Sequence, residues 1–336
     1  MNIDCRDRIF LTGAGFTKNF GAPLAKEMWG IILGNPALDV APDVRRILLN
    51  DFDFESVYNT VMRGARLPLV EDDDQSSWNT QKQALTRAVS DAYEYIDRKI
   101  RDFRFSGGAP HPVNIYQVQD FIASFAGNSN KPGFFFTLNQ DLFIERHYYN
   151  GQRPTLPGIK ERGTWFTTNS QPLDAERCII PQAQSEISAP FDASPFYYVK
   201  LHGSSNWYSA DQQTMVIGDA KQAQIAAEPL LARYFDTFRA ALTGGGRRLL
   251  CAGYSFSDFH INSAIRDGIR AGLRLYTLSP ESPDSLANRL RQTETGEAIW
   301  GGLAGYFQFD FKTLFPADQS TTAEWKMIQK RFFGTS

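Results

Sequence analysis

Cysteine is nearly absent: Cys5, Cys178 and Cys251 are the three in 336 residues. They are scattered and form no C-x-x-C pair, so this chain can build neither a disulfide framework nor a four-thiolate metal site. Histidine is also sparse, at four residues. Neither sign of charge dominates, with 35 Lys and Arg against 37 Asp and Glu and a net charge of −2. That balance argues against direct nucleic-acid binding, which needs clustered Lys and Arg. No apolar run approaches the ~20 residues of a membrane span. The opening residues Met-Asn-Ile-Asp-Cys-Arg-Asp-Arg lack the apolar core of a secretory leader. The expectation is a cytoplasmic protein that does not contact membranes.

What is present is a well-patterned globular chain. Hydrophobic residues make up 42% and charged residues 21%, with 26 Phe, 13 Tyr and 6 Trp. The length supports a substantial core in one large domain or two.

The most informative stretch is Phe10-Leu11-Thr12-Gly13-Ala14-Gly15-Phe16-Thr17, an apolar strand that stops in a glycine-rich turn and enters a helix. Such turns direct backbone N–H groups and the positive end of a helix dipole at an anion, commonly a phosphate. The dinucleotide fingerprint G-x-G-x-x-G is incomplete, because Lys18 stands at the third glycine, and no Gly-Lys-[Ser/Thr] follows. Three later segments repeat the design of a buried strand with a polar carboxyl end. They are Phe134–Asp141, Tyr197–Gly203 and Arg248–Asp258. Open α/β sheets bind ligands at such ends.

The pattern predicts a Rossmann-like α/β fold, a parallel sheet flanked by helices with a large helical insertion after the first strand. Strand 8–13 leads into an amphipathic helix over 16–34, with Phe20, Leu24, Met28 and Ile31-Ile32 facing inward. Helices are expected at Arg45–Leu49, Asp53–Met62 and Trp78–Phe105, with an acidic loop at Glu71–Asp74 and a break at Ser106–Pro112. The insertion runs over about 36–112. A helix over 113–126 precedes strand 133–138. Residues 150–195 read as a loop-rich cover with strand-like pieces at Thr164–Thr167 and Cys178–Ile180. Helix 228–242, strand 248–253, helix 258–271, strand 273–278, helix 284–295 and strand 305–311 continue the alternation. The first 312 residues form one domain, and 313–336 a tail with a helix around Trp325–Phe332.

Gly13-Ala14-Gly15-x-Thr17, Gly21-Ala22-Pro23, Thr137-x-Asn139-x-Asp141, His202-Gly203 and Gly253-x-Ser255-x-x-Asp258 resemble, in order, the motif set of the sirtuin family. The finer resemblance, through Phe136–Arg146 and Lys200–Trp207, is to the sirtuin-like NADases of bacterial anti-phage defence. The chain departs from the deacetylases in Leu24-Ala25-Lys26, in Leu138 before the asparagine, and in lacking the paired C-x-x-C of their zinc ribbon. Protein deacetylation is put in doubt, dinucleotide binding is not, and no zinc is expected.

The resemblance implies NAD+ as substrate and roles for single residues. Asn139 would hold the nicotinamide ribose and the attacking water, or cap the helix beginning near Gln140. His202 would polarise a ribose hydroxyl or that water. Taken without the other motifs, it reads as a packed residue. Asp141 would face the carboxamide or stabilise the following helix. Gly13, Ala14 and Gly15 would lie at the phosphates, Thr17 would contact a phosphate through its hydroxyl or simply cap the turn, and Gly253, Ser255 and Asp258 would lie on the adenosine side. Asp258 also suits a plain helix start. His260 and His147 are weaker candidates, His111 is read as incidental, and Glu145 and Arg146 as structural.

The implied reaction is hydrolysis of the nicotinamide N-glycosidic bond to nicotinamide and ADP-ribose, in anti-phage defence by NAD+ depletion. The alternatives are an NAD+-dependent protein deacylase and a non-catalytic NAD+ or ADP-ribose sensor. The resemblance also implies a homo-oligomer and a separate regulatory partner, a HerA-type ATPase ahead of a short Argonaute.

Overall fold

The structure is a computed structural model that describes residues 3–63, 75–103, 112–148, 153–159, 177–209, 212–218 and 220–334. The acidic loop, most of the 106–112 break with His111, and the strand-like piece at 164–167 lie outside the described residues. In chain order the elements are β1 (Arg8–Thr12), α1 (Ala14–Lys18), α2 (Ala25–Leu33), α3 (Pro42–Asn50), α4 (Phe54–Arg63), α5 (Gln75–Asp102), α6 (Ile115–Ala123), β2 (Gly133–Thr137), α7 (Phe143–His147), β3 (Cys178–Ile179), α8 (Gln184–Ser188), β4 (Phe196–Lys200), β5 (Gly203–Ser209), β6 (Gln212–Met215), α9 (Lys221–Ala227), α10 (Pro229–Thr243), β7 (Arg248–Ala252), α11 (Phe259–Arg270), β8 (Arg274–Leu278), α12 (Pro283–Leu290), α13 (Glu294–Gly301), β9 (Leu303–Phe307), α14 (Phe311–Leu314) and α15 (Ala323–Ile328). A π-helical turn, Gln329–Phe333, closes the described chain.

Six strands form one parallel sheet in the order β4-β2-β1-β7-β8-β9. Numbered by their sequence within that sheet the order is 3-2-1-4-5-6, the doubly wound Rossmann arrangement. The direction of winding reverses between β1 and β7, and the ligand crevice of such sheets opens there.

The strands are apolar on both sides because both faces are covered. Phe10 and Phe135 pack together on one face at 4.9 Å, where Phe121 of α6 meets Phe10 edge-on at 5.3 Å. Phe136 points to the other face and meets Phe238 of α10 at 4.9 Å. The C-terminal turn belongs to the first face, with Phe332 and Phe333 against Phe125 and Phe332 against Tyr276.

The helix expected over 16–34 is two helices. Gly21 at φ +92 and the Gly-Ala-Pro turn break it, and Leu24 is the half-exposed N-cap of α2 rather than an inward residue. The helix expected over 284–295 also divides, since the Thr293 side chain accepts from Gly296 N and starts α13. The last sheet strand is Leu303–Phe307, earlier than 305–311, and Asp310 caps α14 by accepting from Thr313 N.

A second, small sheet, β3-β5-β6, was not expected. It begins where β4 ends. Gly203 turns the chain at φ +75 and lies so close to β6 that a Cβ there would come within 2.2 Å of the Thr214 carbonyl oxygen.

The insertion helices are bonded to the sheet's carboxyl edge. On α5, Asp97 and Arg146 form a buried two-pronged ion pair at 2.5 and 2.6 Å. The Tyr93 hydroxyl, also on α5, bonds to Gln140 Oε1.

Candidate active site

Adjacent strand ends bring the sequence motifs together. Gly13 N donates to Ala252 O at 3.1 Å, Gly15 N donates to Gly253 O at 2.9 Å, and Phe16 N donates to Gly13 O at 2.9 Å. The β1 and β7 turns therefore lie backbone on backbone at the reversal point. Gly253 sits at φ +63, and a Cβ on it would come within 2.1 Å of Phe16 N. This corrects one expectation. The amides of 13, 15 and 16 are engaged within the chain, and α1 has only five residues. The glycines serve the close approach of two turns to each other, and an anion cradle made of those three amides is not available.

Asn139, two residues past the end of β2, lies directly beside this turn. Its Nδ2 donates to Gly13 O at 3.1 Å and to Thr17 Oγ1 at 3.3 Å, and its own N–H donates to Thr137 Oγ1 at 3.0 Å. The capping reading fails, because α7 begins only at Phe143 with Leu142 as N-cap. Asp141 does support that helix, accepting from Phe143 N at 3.0 Å. Burial raises the Asp141 pKa against the lowering pull of Lys200.

Lys200 is fully buried, and its Nζ donates to Asp141 O at 2.6 Å and to Glu145 Oε1 at 2.9 Å. Glu145 and Arg146 are thus paired structural residues, as read from the sequence. His147 packs behind them, with Nε2 2.7 Å from Ile100 O.

His202 follows β4 and is 4% exposed. Its carbonyl accepts from Val216 N at 3.0 Å and from Gln140 Nε2 at 3.2 Å, which ties it to the residue after Asn139. Its Nε2 lies 3.0 Å from His260 Nε2 on α11, so one ring donates and the other accepts. Strands β4 and β7 are separated in the sheet by β2 and β1, roughly 14 Å from end to end at the usual spacing. The contact therefore spans the carboxyl edge from the β4 side to the β7 side.

Asp258 occupies the N-cap of α11 without a side-chain capping bond. It pairs with Lys221 Nζ at 2.8 Å instead, and Lys221 also pairs with Glu55 Oε2 of α4 at 2.8 Å. Burial pushes the His202 pKa down to about 3 and lowers that of His260. Burial works to raise Asp258, but His202 and Lys221 outweigh it and hold the carboxyl low. Burial opposes the Lys221 charge, yet Glu55 and Asp258 raise its pKa.

On the β7 side, Ser255 is exposed with its Oγ 2.9 Å from Ser257 Oγ. Buried Phe256 adopts φ +56, a strained value for a residue with a side chain, and Asn262 Nδ2 holds it by donating to Phe256 O at 2.8 Å.

Sequence reasoning ranked His260 below His202 and did not anticipate their pairing. It missed Lys221, Glu55 and Tyr93, whose spacing carries no motif, and gave no site role to Gln140, which lies inside Thr137-x-Asn139-x-Asp141. His202, Asp258 and His260 are the one group among the described residues whose ligand atoms lie within 4.8 Å of one another, as a bound metal would require. The Lys221 ammonium already neutralises the carboxylate that a divalent ion would need, so the set fits a metal poorly.

A family model described as the SIR2-like domain matches residues 133–299, from β2 to α13. The match supports a sirtuin-like family and, in general terms, an NAD+-using protein. No curated protein matches the chain.

Proposed function

We propose that this chain, whose SIR2-like match spans residues 133–299, is an NAD+ glycohydrolase. It would cleave the bond between nicotinamide and ribose with water and release ADP-ribose. The carrying observation is the place of Asn139. Its amide is fixed on the glycine turn by two bonds, while the next residue holds the backbone of His202.

The leaving nicotinamide already carries positive charge on its nitrogen, so its departure needs little acid help. The developing sugar cation needs an oriented nucleophile and a polar cradle. In this reading Asn139 orients the ribose and the water, Asp141 meets the carboxamide, and Thr17 lies towards the phosphates. His202 accepts a proton from the ribose hydroxyl or the water. A neutral imidazole can do so, and burial keeps His202 neutral. No zinc takes part in this reading: the three cysteines are buried and lie on separate segments.

The resemblance in the motifs further suggests a role in anti-phage defence by NAD+ depletion, with a homo-oligomer and a regulatory partner such as a HerA-type ATPase. Incubating the protein with NAD+ alone and separating products by chromatography tests the chemistry. Nicotinamide and ADP-ribose in equal amounts support it. Release only with an acyl-lysine peptide would make the protein a deacylase, and binding without product would make it a sensor. Repeating the assay with the neighbouring gene product tests partner control, which equal rates would remove.

A further inference from the structure

We propose that Lys221, braced by Glu55 of the helical insertion, is a positioning residue that holds Asp258 to itself and so keeps the His202–His260 pair uncharged. The proposal deepens the reading of His202 as a base. The charged and titratable groups around the pair come from three elements. Asp258 starts α11, Lys221 starts α9, and Glu55 lies in the first turn of α4 behind Lys221. From α10 the Phe235 ring packs on His260 at 5.5 Å. One carboxylate oxygen and two imidazole nitrogens share a space 4.8 Å across. An unpaired carboxylate that close to an imidazole pair would draw a proton onto it and raise its pKa. Lys221 lies 2.8 Å from that carboxylate and supplies the compensating charge.

The pairing of rings gives this a chemical consequence. The 3.0 Å Nε2 to Nε2 contact holds one hydrogen when the pair is neutral. If His202 donates it, His202 Nδ1 is left with a free lone pair and His260 carries its own hydrogen on Nδ1. A proton taken from substrate then arrives at His202 Nδ1 and makes an imidazolium beside Asp258. A pair already protonated at rest could not accept it.

Lys221 is itself placed by the insertion. Gly218, three residues before it, packs on α4 so closely that a Cβ would come within 2.7 Å of Asn59 Cβ. Val216 O, two residues further back, accepts from Gln140 Nε2 at 2.6 Å.

The test is a histidine titration by nuclear magnetic resonance on the full chain, with its four histidines assigned through single variants. In wild type the His202 and His260 signals should stay in the neutral position below pH 6. In Lys221→Met their midpoint should rise by one pH unit or more, a tenfold or greater gain in proton affinity. The acid limb of kcat for NAD+ cleavage should rise with it, and Lys221→Arg should restore both. Glu55→Gln, which removes the brace on Lys221 and lets its ammonium swing away from Asp258, should shift the midpoint in the same direction by less, because the lost Glu55 charge opposes the rise.

Unchanged histidine titrations in folded Lys221→Met, or in Glu55→Gln should the first variant not fold, would overturn the proposal. So would a loss of activity equal at every pH. If wild type cleaves no NAD+, the base role fails, while the titration still decides whether Lys221 sets the charge of the pair.

Discussion

An imidazole whose pKa burial pushes down to about 3 stays neutral over the whole range in which a cell works. Two outcomes belong to His202 for that reason. As the proposed base it contributes about 10²- to 10⁴-fold to the rate. His202→Ala should lower kcat by that factor while ADP-ribose affinity, measured by calorimetry, changes little. A fall in affinity with kcat preserved would assign His202 to binding instead. The second outcome concerns stability. The unfolded chain protonates this histidine near 6.5 and the folded chain only near 3, so the unfolded state holds more protons in between. Stability from this group is fully present above pH 6.5. It declines as pH falls, by up to about 1.4 kcal/mol per unit. Urea unfolding at several pH values should show that slope in wild type and a shallower one in His202→Asn. Asp141 and Glu145, raised by burial, slope the opposite way above their ordinary carboxylate pKa, so the difference between the two proteins is the quantity to read.

Among elements, the parallel strands were legible because buried strands such as Phe134-Phe135-Phe136 read as continuous apolar runs. Helix breaks were harder. The division at Gly21-Ala22-Pro23 had a signal, yet apolar spacing on either side still suggested one continuous helix. Strand β5 was hidden because its buried residues include Ser204, Ser205 and Asn206, a polar run without strand alternation. At the candidate site, Asn139, His202 and Asp258 were legible from ordered short motifs. Lys221 and Glu55 were not, since an ion pair between distant helices leaves no periodic trace.

Gly253→Ala would add left-handed strain and drive a methyl into the α1 backbone, at a cost of about 2–4 kcal/mol. Chemical denaturation should register that loss, whereas Gly246→Ala, open at its Cβ, should lose only the strain of its positive φ. Asp97→Ala would leave buried Arg146 without its two-pronged partner, and breaking such a pair costs about 3–5 kcal/mol. A loss below 1 kcal/mol would mean that α5 is only loosely joined to α7.

At the scale of the molecule, the insertion and the sheet share the candidate site as a common boundary. Glu55 on α4 reaches Lys221, while Tyr93 and Asp97 on α5 reach Gln140 and Arg146. A ligand that orders the carboxyl edge should therefore order the insertion too. ADP-ribose at a hundredfold its Kd should add about 2.7 kcal/mol to stability if it binds the folded state alone. At about 2.1 cal/mol/K of unfolding entropy per residue, that is a rise of roughly 4 °C in Tm for a chain of this length. Hydrogen exchange should then show slower opening in α4 and α5 as well as in the segments after β1, β2 and β4. In Tyr93→Phe, which removes one bond and keeps the ring, the Tm shift should remain while the added protection of α5 diminishes. Protection confined to the sheet in wild type would mean that the three bonds carry no coupling and that the insertion opens independently of the site.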